Sequence, residues 1–196
     1  MATARRIDRL RSVAASRQRG LTVVLEDIHD PHNAEAVFRS CDAFGVQQVH
    51  LVFEREAPFK PRRIGKASSA SANKWLSFAV HHSTTACLDA LRASGHALVA
   101  AAPPPRGCEL AAADLAAPRL ALLFGNEHRG LSEEALVAAD QVMSIATVGM
   151  VRSLNLSVAA AICLYETTRQ RAATGRDFRL STEEQARLVD DWLDRV

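Results

Sequence analysis

Three short segments of this chain carry side chains whose types and spacing suit chemistry. Gly149, Met150, Val151, Arg152, Ser153, Leu154, Asn155, Leu156 and Ser157 lead directly into an apolar run from Val158 to Glu166. Ser153, Asn155 and Ser157 are all good helix N-cap types. A helix needs one cap, so two polar side chains and the unpaired N–H groups of the first turn are left for an anion or a polar ligand. The second segment, Asp30-Pro31-His32-Asn33, stands six residues ahead of Arg39. The third, Leu122-Leu123-Phe124-Gly125-Asn126-Glu127, is an apolar strand that ends in a glycine, an amide and a carboxylate. Amides, hydroxyls, the guanidinium of Arg39 and the carboxylate of Glu127 are parts of a pocket for an anion or a polar ligand.

The elements that must position these residues alternate between strand-like and helical segments, which implies an α/β fold with a mostly parallel sheet flanked by helices. A basic helix is predicted from Ala4 to Arg19, with Thr3 as cap and Gly20 as stop. Leu21–Leu25, Gln48–Phe53, Trp75–His81, His96–Ala102, Leu120–Phe124 and Val142–Ala146 read as strands. Helices are predicted from Asn33 to Phe44, from Thr84 to Ala93, from Ser132 to Ala139 and from Asn155 to Ala173. A final short helix starts at the capping box Ser181/Glu184. Residues from Glu54 to Asn73, with Pro58, Pro61 and Gly65, read as a polar loop. Ligands of parallel sheets bind beyond the carboxyl ends of strands. Gly125, the Ala102-Pro103 break and the loop from Ala146 to Gly149 all follow strand ends and so can share one rim. The turn after the first strand, Glu26 to Pro31, holds no glycine, and neither G-x-G-x-x-G nor a P-loop occurs. A nucleotide-containing cofactor must therefore be held in some other way.

The 196 residues suffice for a buried core, and 48% hydrophobic with 23% charged residues is ordinary globular composition. The net charge of +2 is unremarkable, but its distribution is uneven. Six arginines and one acid lie between Arg5 and Arg19. Arg55, Lys60, Arg62, Arg63 and Lys66 form a second cluster, and Arg169, Arg171, Arg176 and Arg179 a third. Basic clusters on a nearly neutral body suit a polyanion. With only 5% aromatics, recognition should rest on phosphates and shape rather than on base stacking. Trp75 and Trp192 read as packing residues. Cys41, Cys87, Cys108 and Cys163 form no CxxC pair and read as free thiols, mostly in the core. No membrane-length apolar run or secretory leader is visible, so a cytoplasmic location is expected. No metal is expected: His29 and His32 flank Pro31 in a polar turn without further ligands nearby.

The three segments, in this order, resemble the SpoU/TrmH family of RNA ribose 2′-O-methyltransferases, in the SPOUT superfamily. The basic start Arg5-Arg6-Ile7-Asp8-Arg9 and the tail Glu166-Thr167-Thr168-Arg169-Gln170-Arg171 are most similar to its tRNA guanosine branch. The resemblance implies a deep trefoil knot over about residues 120–166, within a methyltransferase domain of residues 21–174. Residues 1–20 would form a basic N-terminal helix and residues 175–196 a C-terminal extension. It implies S-adenosylmethionine held by backbone groups around Ala101, Ala102, Gly125, Ile145 and Leu154. Arg39, Asn33, Ser153, Asn155 and Glu127 are then the expected catalytic set. Arg5, Arg6, Arg9, Arg11, Arg19, Arg169 and Arg171 are the expected RNA-binding residues. A homodimer through the knot region is implied, with tRNA as substrate at a D-loop guanosine. Ribosomal RNA as substrate, or a non-catalytic RNA-binding member of the fold, are the alternatives. Where the family usually has proline this chain has Ala146, which implies a looser cofactor loop.

Asn33 and Arg39 lie near two turns apart on one predicted helix, so that both can face one side. The resemblance makes Arg39 the catalytic residue, often described as a general base. A guanidinium with a pKa above about 12 is seldom deprotonated, so a grip on the flanking phosphate and on developing alkoxide charge is the simpler role. Glu127 is a second candidate, as a base or as the partner of Arg39.

Overall fold

The computed structural model describes residues 3–63 and 72–195. Gly65 and Lys66, read above as part of a basic loop, lie outside them. Seven strands form one sheet: β1 Leu21–Glu26, β2 Gln48–Val52, β3 Ser77–His81, β4 Ala97–Ala101, β5 Cys108–Glu109, β6 Leu120–Phe124 and β7 Gln141–Ser144. Their order is β3-β2-β1-β6-β4-β7-β5, and every pairing between them is parallel. The helices are α1 Ala4–Ala15, α2 Pro31–Ala43, α3 Ala72–Trp75, α4 Thr84–Ala93, α5 Glu133–Ala138, α6 Leu156–Ala173 and α7 Thr182–Leu193.

The central strands are apolar on both faces because helices cover both. Alternate side chains go to opposite layers. Val23, Leu25, Leu122 and Phe124 pack with Val37, Phe38 and Cys41 of α2 and with Ala160, Cys163 and Leu164 of α6. Val24, Ala121 and Leu123 pack the other way, against Cys87, Leu88 and Leu91 of α4 and Ala135 of α5. Glu26, buried at the end of β1, accepts hydrogen bonds from Thr84 Oγ1 and Ser132 Oγ, both at 2.6 Å, and from the Ser132 N–H at 2.8 Å. This one carboxylate ties the N-termini of α4 and α5 to the sheet. A separate cluster of Leu10, Ala14, Leu188, Val189 and Trp192 joins α1 to α7. Trp192 is fully buried and donates from Nε1 to the carbonyl of Trp75 at 2.7 Å, so both tryptophans are packing residues.

Several boundaries differ from expectation for local reasons. Helix α1 stops at Ala15, capped by Ser16, because Gln18 then bridges to Arg179 in extended pairing. Helix α2 opens at Pro31, with Asp30 as its cap: the Asp30 carboxylate accepts from the His32 N–H at 2.9 Å. Asn33 is therefore inside the first turn, with its side chain released from capping. Trp75 closes α3 instead of opening a strand, and β3 starts at Ser77. Strand β7 ends at Ser144, which leaves Ile145 and Ala146 in the following loop. Strand β5, two residues long, has no apolar run to announce it. The four cysteines are free, and Cys41, Cys87 and Cys163 are buried. No helix among the described residues is long and apolar enough to cross a membrane.

Candidate active site

Strands β1 and β6 are neighbours at the point where the chain order reverses, the position at which open α/β sheets place ligands. A cleft of about 780 Å³ opens beyond the carboxyl ends of β4, β6 and β7. Ala101, Ala102, Gly125, Ile145 and Leu154, the five residues expected around a cofactor, all line it. So do Asn33, Glu127, Ser153 and Asn155 of the expected catalytic set. Residues from opposite ends of the chain thus share one wall.

The polar side chains are joined to each other. Asn33 Nδ2 donates to Glu127 Oε1 at 2.8 Å, and Asn155 Nδ2 donates to Asn33 Oδ1 at 3.1 Å. Glu127 also accepts from the backbone N–H groups of His29 at 2.9 Å and Asp30 at 3.2 Å. Burial alone would raise the Glu127 carboxyl. The donors from Asn33 and the His29 and Asp30 backbone outweigh it and hold the group below its ordinary value. Glu127 is thus an ionised acceptor bound to Asn33 and the chain, and not to Arg39. Asn155 has two tasks, since its Oδ1 also caps α6 by accepting from the Ser157 N–H at 2.8 Å and hydroxyl at 2.7 Å. Of the three candidate caps, Ser153 is left exposed, at the cleft, without a hydrogen bond to any described residue.

Arg39 is the exception. It is exposed, makes no hydrogen bond or ion pair with a described residue, and is not among the residues lining the cleft. The reason is helical geometry. Six positions advance a helix by roughly 600°, so Asn33 and Arg39 point about 120° apart and not to one side. The chain therefore closes the Asn33–Glu127–Asn155 network by itself and leaves the guanidinium outside it.

Gly125 is required by its own loop. A Cβ there would lie 2.2 Å from the Leu131 backbone nitrogen and 2.3 Å from the Gly130 carbonyl carbon. Asn126, quoted in the motif but given no role, makes that loop. Its Oδ1 accepts from the N–H groups of His128 and Arg129 at 2.9 and 3.1 Å, and its Nδ2 donates to the Asp27 carbonyl at 2.7 Å. Arg129 pairs with Glu56 at 2.7 Å, and His29 Nδ1 stands 3.2 Å from the same carboxylate. The Asn126–Asp27 and Arg129–Glu56 contacts span 99 and 73 residues and left no mark in local sequence, except that asparagine after a strand-ending glycine is a turn former.

The arginines expected to bind RNA divide into two kinds. Arg5, Arg6, Arg9 and Arg11 are exposed along α1. Arg19 pairs with Glu184 at 3.0 Å and Arg169 with Glu166 at 2.7 Å, both on the surface. Arg171 does not belong with them. It is 2% exposed, donates to the carbonyls of Arg19 at 3.2 Å and Ala117 at 2.8 Å, and lies over the Phe178 ring. Its guanidinium is taken up by these backbone carbonyls and is not a free surface charge. Arg17, counted above in the first basic cluster, is likewise buried, against Asp42 and Trp192. The buried stripe of α6, Ala160, Cys163, Leu164 and Thr167, has helical spacing that continues to Arg171. That periodicity was the available signal.

Fold and cleft define a class of protein that holds a small-molecule ligand at the end of a parallel sheet beside a polar, hydroxyl-orienting wall. A model of the SpoU rRNA methylase family matches residues 20–165, and the chain belongs to that family. It is 38% identical over 187 residues to a tRNA (guanosine(18)-2′-O)-methyltransferase of Thermus thermophilus, covering 94% of each chain. The crystal structure of the A. aeolicus TrmH/SpoU tRNA modifying enzyme superposes with a TM-score of 0.86 at 32% identity, over 96% of this chain and 94% of that one. The SpoU methyltransferase AviRb from Streptomyces viridochromogenes, in complex with the cofactor AdoMet, matches with a TM-score of 0.69 at 30% identity, over 83% of this chain and 64% of that one.

Proposed function

We propose that this chain transfers a methyl group from S-adenosylmethionine to a ribose 2′-hydroxyl of tRNA, at a D-loop guanosine. The observation that carries this reading is the cleft wall itself. Ala101, Ala102, Gly125, Ile145 and Leu154 supply small side chains, backbone and apolar surface next to the Asn33–Glu127–Asn155 network. The residues present fit the cofactor. The volume suits a nucleoside-sized ligand, and the one carboxylate at the network is already satisfied by Asn33 and backbone N–H groups. It does not hold the cationic ground state in place, which would oppose a reaction in which that charge is lost. The relatives' printed activities and the AdoMet-bound neighbour support the same reading.

When bound, S-adenosylmethionine supplies the electrophilic methyl group. The chain's own residues orient the other reactant. Glu127 fixes the Asn33 amide, and Asn33 in turn fixes Asn155, so the rim of α6 is held before substrate arrives. Ser153, without a partner among the described residues, offers its hydroxyl to the ribose. Arg39, free and exposed, grips the phosphate next to the target nucleotide and stabilises negative charge growing on the 2′-oxygen. Arg5, Arg6, Arg9 and Arg11, with Arg19 and Arg169 exchanging their surface carboxylate partners for phosphate, hold the RNA body.

The working unit is a homodimer whose knot, formed by about residues 120–166, lies at the interface. Its support is the exposed apolar set Val148, Met150, Val151, Val158 and Tyr165, which follows β7 and runs along α6. The test incubates the protein with labelled methyl donor and separate tRNA and rRNA pools, followed by nuclease mapping of ribose methylation. Label at a D-loop guanosine of tRNA is expected. Label in rRNA alone moves the substrate to the ribosome, and label in neither leaves an RNA-binding module.

A further inference from the structure

At the opposite end of the sheet from β5, on the edge formed by β3 and β2, three metal-ligating side chains meet. In the register of these strands His50 stands beside Ala79, so His81, two residues further on, projects from the same face as His50. Helix α4 covers that face, and Cys87 lies on its buried side with Leu88 and Leu91. His50 Nδ1 and His81 Nε2 are 3.0 Å apart, and these two nitrogens and the Cys87 sulfur all lie within 4.8 Å of one another. None of the three lines the cleft described above.

We infer that His50, His81 and Cys87 form a binding site for a single zinc(II) ion that fastens the sheet edge to α4. Tetrahedral zinc with bonds of about 2.0 Å to nitrogen and 2.3 Å to sulfur needs donors separated by about 3.3–3.6 Å, which the nitrogens at 3.0 Å and a sulfur within 4.8 Å of them reach by side-chain rotation. Two imidazoles and a thiolate select zinc over magnesium or calcium, which require oxygen donors. The ring geometry fits the same role. The imidazoles are within 18° of parallel with centroids 5.2 Å apart, the distance expected when two rings share one in-plane hydrogen bond. The nitrogens meet head-on across one shared proton, so an ion binds once both rings turn and their lone pairs converge on it. Binding replaces that hydrogen bond with two N–Zn bonds, through His50 Nδ1 and His81 Nε2, while each ring keeps a proton on its other nitrogen. The third bond, S–Zn, forms as the Cys87 S–H breaks and its proton goes to solvent. Cys87 is buried, whereas His50 and His81 are both half-buried, and His81 on the edge strand gives the ion access. A fourth position stays open to water.

Titration of the full-length, metal-stripped chain with cobalt(II) chloride tests this. Thiolate-to-cobalt charge-transfer absorption in the near ultraviolet and tetrahedral d–d bands are expected, saturating at one ion per chain and erased by zinc(II). Cys87→Ser should abolish the charge-transfer band, and His81→Gln, at the exposed edge where misfolding is least expected, should weaken binding by more than about 100-fold. Cys108→Ser removes the half-buried free thiol and should change nothing. Zinc should raise the melting temperature of the parent chain but not of His81→Gln. Absence of a thiolate band, a band that follows Cys108, or unchanged affinity in a folded His81→Gln would each overturn the site.

Discussion

The cleft and the arginine-bearing surface arrange their polar groups in opposite ways. In the cleft, polar groups are bonded to one another across long stretches of chain: Asn33 to Glu127, 94 residues away, and Asn155 to Asn33, 122 residues away. On the surface, Arg169 pairs with Glu166 three residues before it and Arg11 with Asp8. Long-range bonds fix a geometry that substrate does not have to organise. Local pairs of this kind are set by nearest neighbours in the chain and leave the arginine side chains at the surface. Arg39 belongs with the surface by exposure and with the cleft by proposed role, which suits a cation that engages only once RNA is in place.

The largest effect should come from the element that belongs to both regions. Arg39→Ala is expected to lower turnover by about 10²–10³-fold, the scale of losing one charge-stabilising donor, while leaving cofactor affinity unchanged. Parallel turnover and calorimetric measurements check this, and an equal loss of both would place Arg39 in the cofactor site.

The next contrast is within the arginines. Arg171→Ala should destabilise the fold by about 2–4 kcal/mol, because it leaves the carbonyls of Arg19 and Ala117 unpaired. Urea unfolding reads this. Replacing Arg5, Arg6 and Arg9 together by glutamine should leave unfolding nearly unchanged and reduce the slope of log K against log salt for tRNA by about 2–3. If the two variants behave alike, the division between buried and surface arginines is wrong.

Smaller is the pH effect at Glu127. Its carboxyl titrates below the ordinary range in the folded chain and near about 4.3 when unfolded. The unfolded state therefore takes up protons first as pH falls. The stabilisation is complete above the unfolded value and is lost on acidification through the folded one. Glu127→Gln should show a shallower loss of unfolding free energy than the parent as the pH falls below about 5. The smallest expected change is a gain. Ala146→Pro should stiffen the loop after β7 and tighten S-adenosylmethionine by about two- to fivefold in calorimetry, on the scale of a proline's effect on chain entropy.

Much of the frame was legible because its signals are local. Leu120–Phe124 reads as a buried strand from an unbroken apolar run, and Ser132 and Ser181 cap the helices that follow them. The site was legible in its members and less so in its wiring. Asn33, Glu127 and Asn155 stood out by type, but which of them would cap a helix depended on Asp30 taking that place in α2. Charge composition names Arg171 without a direction, whereas the period of α6 marks its position as interior. Strand β5 gave no signal, since two residues are held only by pairing to β7.

The sequence by itself determined the alternation of strands and helices, the caps at Ser132 and Ser181, the polar residues of the candidate site and the basic stretches available to a polyanion. These are encoded in periodicity, side-chain type and the needs of nearest neighbours. Tertiary structure alone decided that Glu127 bonds to Asn33 and not to Arg39, that Arg171 is interior, and that His50, His81 and Cys87 meet at one point. Those outcomes depend on strand order, register and helix rotation, which follow from how apolar faces of distant segments close on one another, and no window of local sequence contains that information.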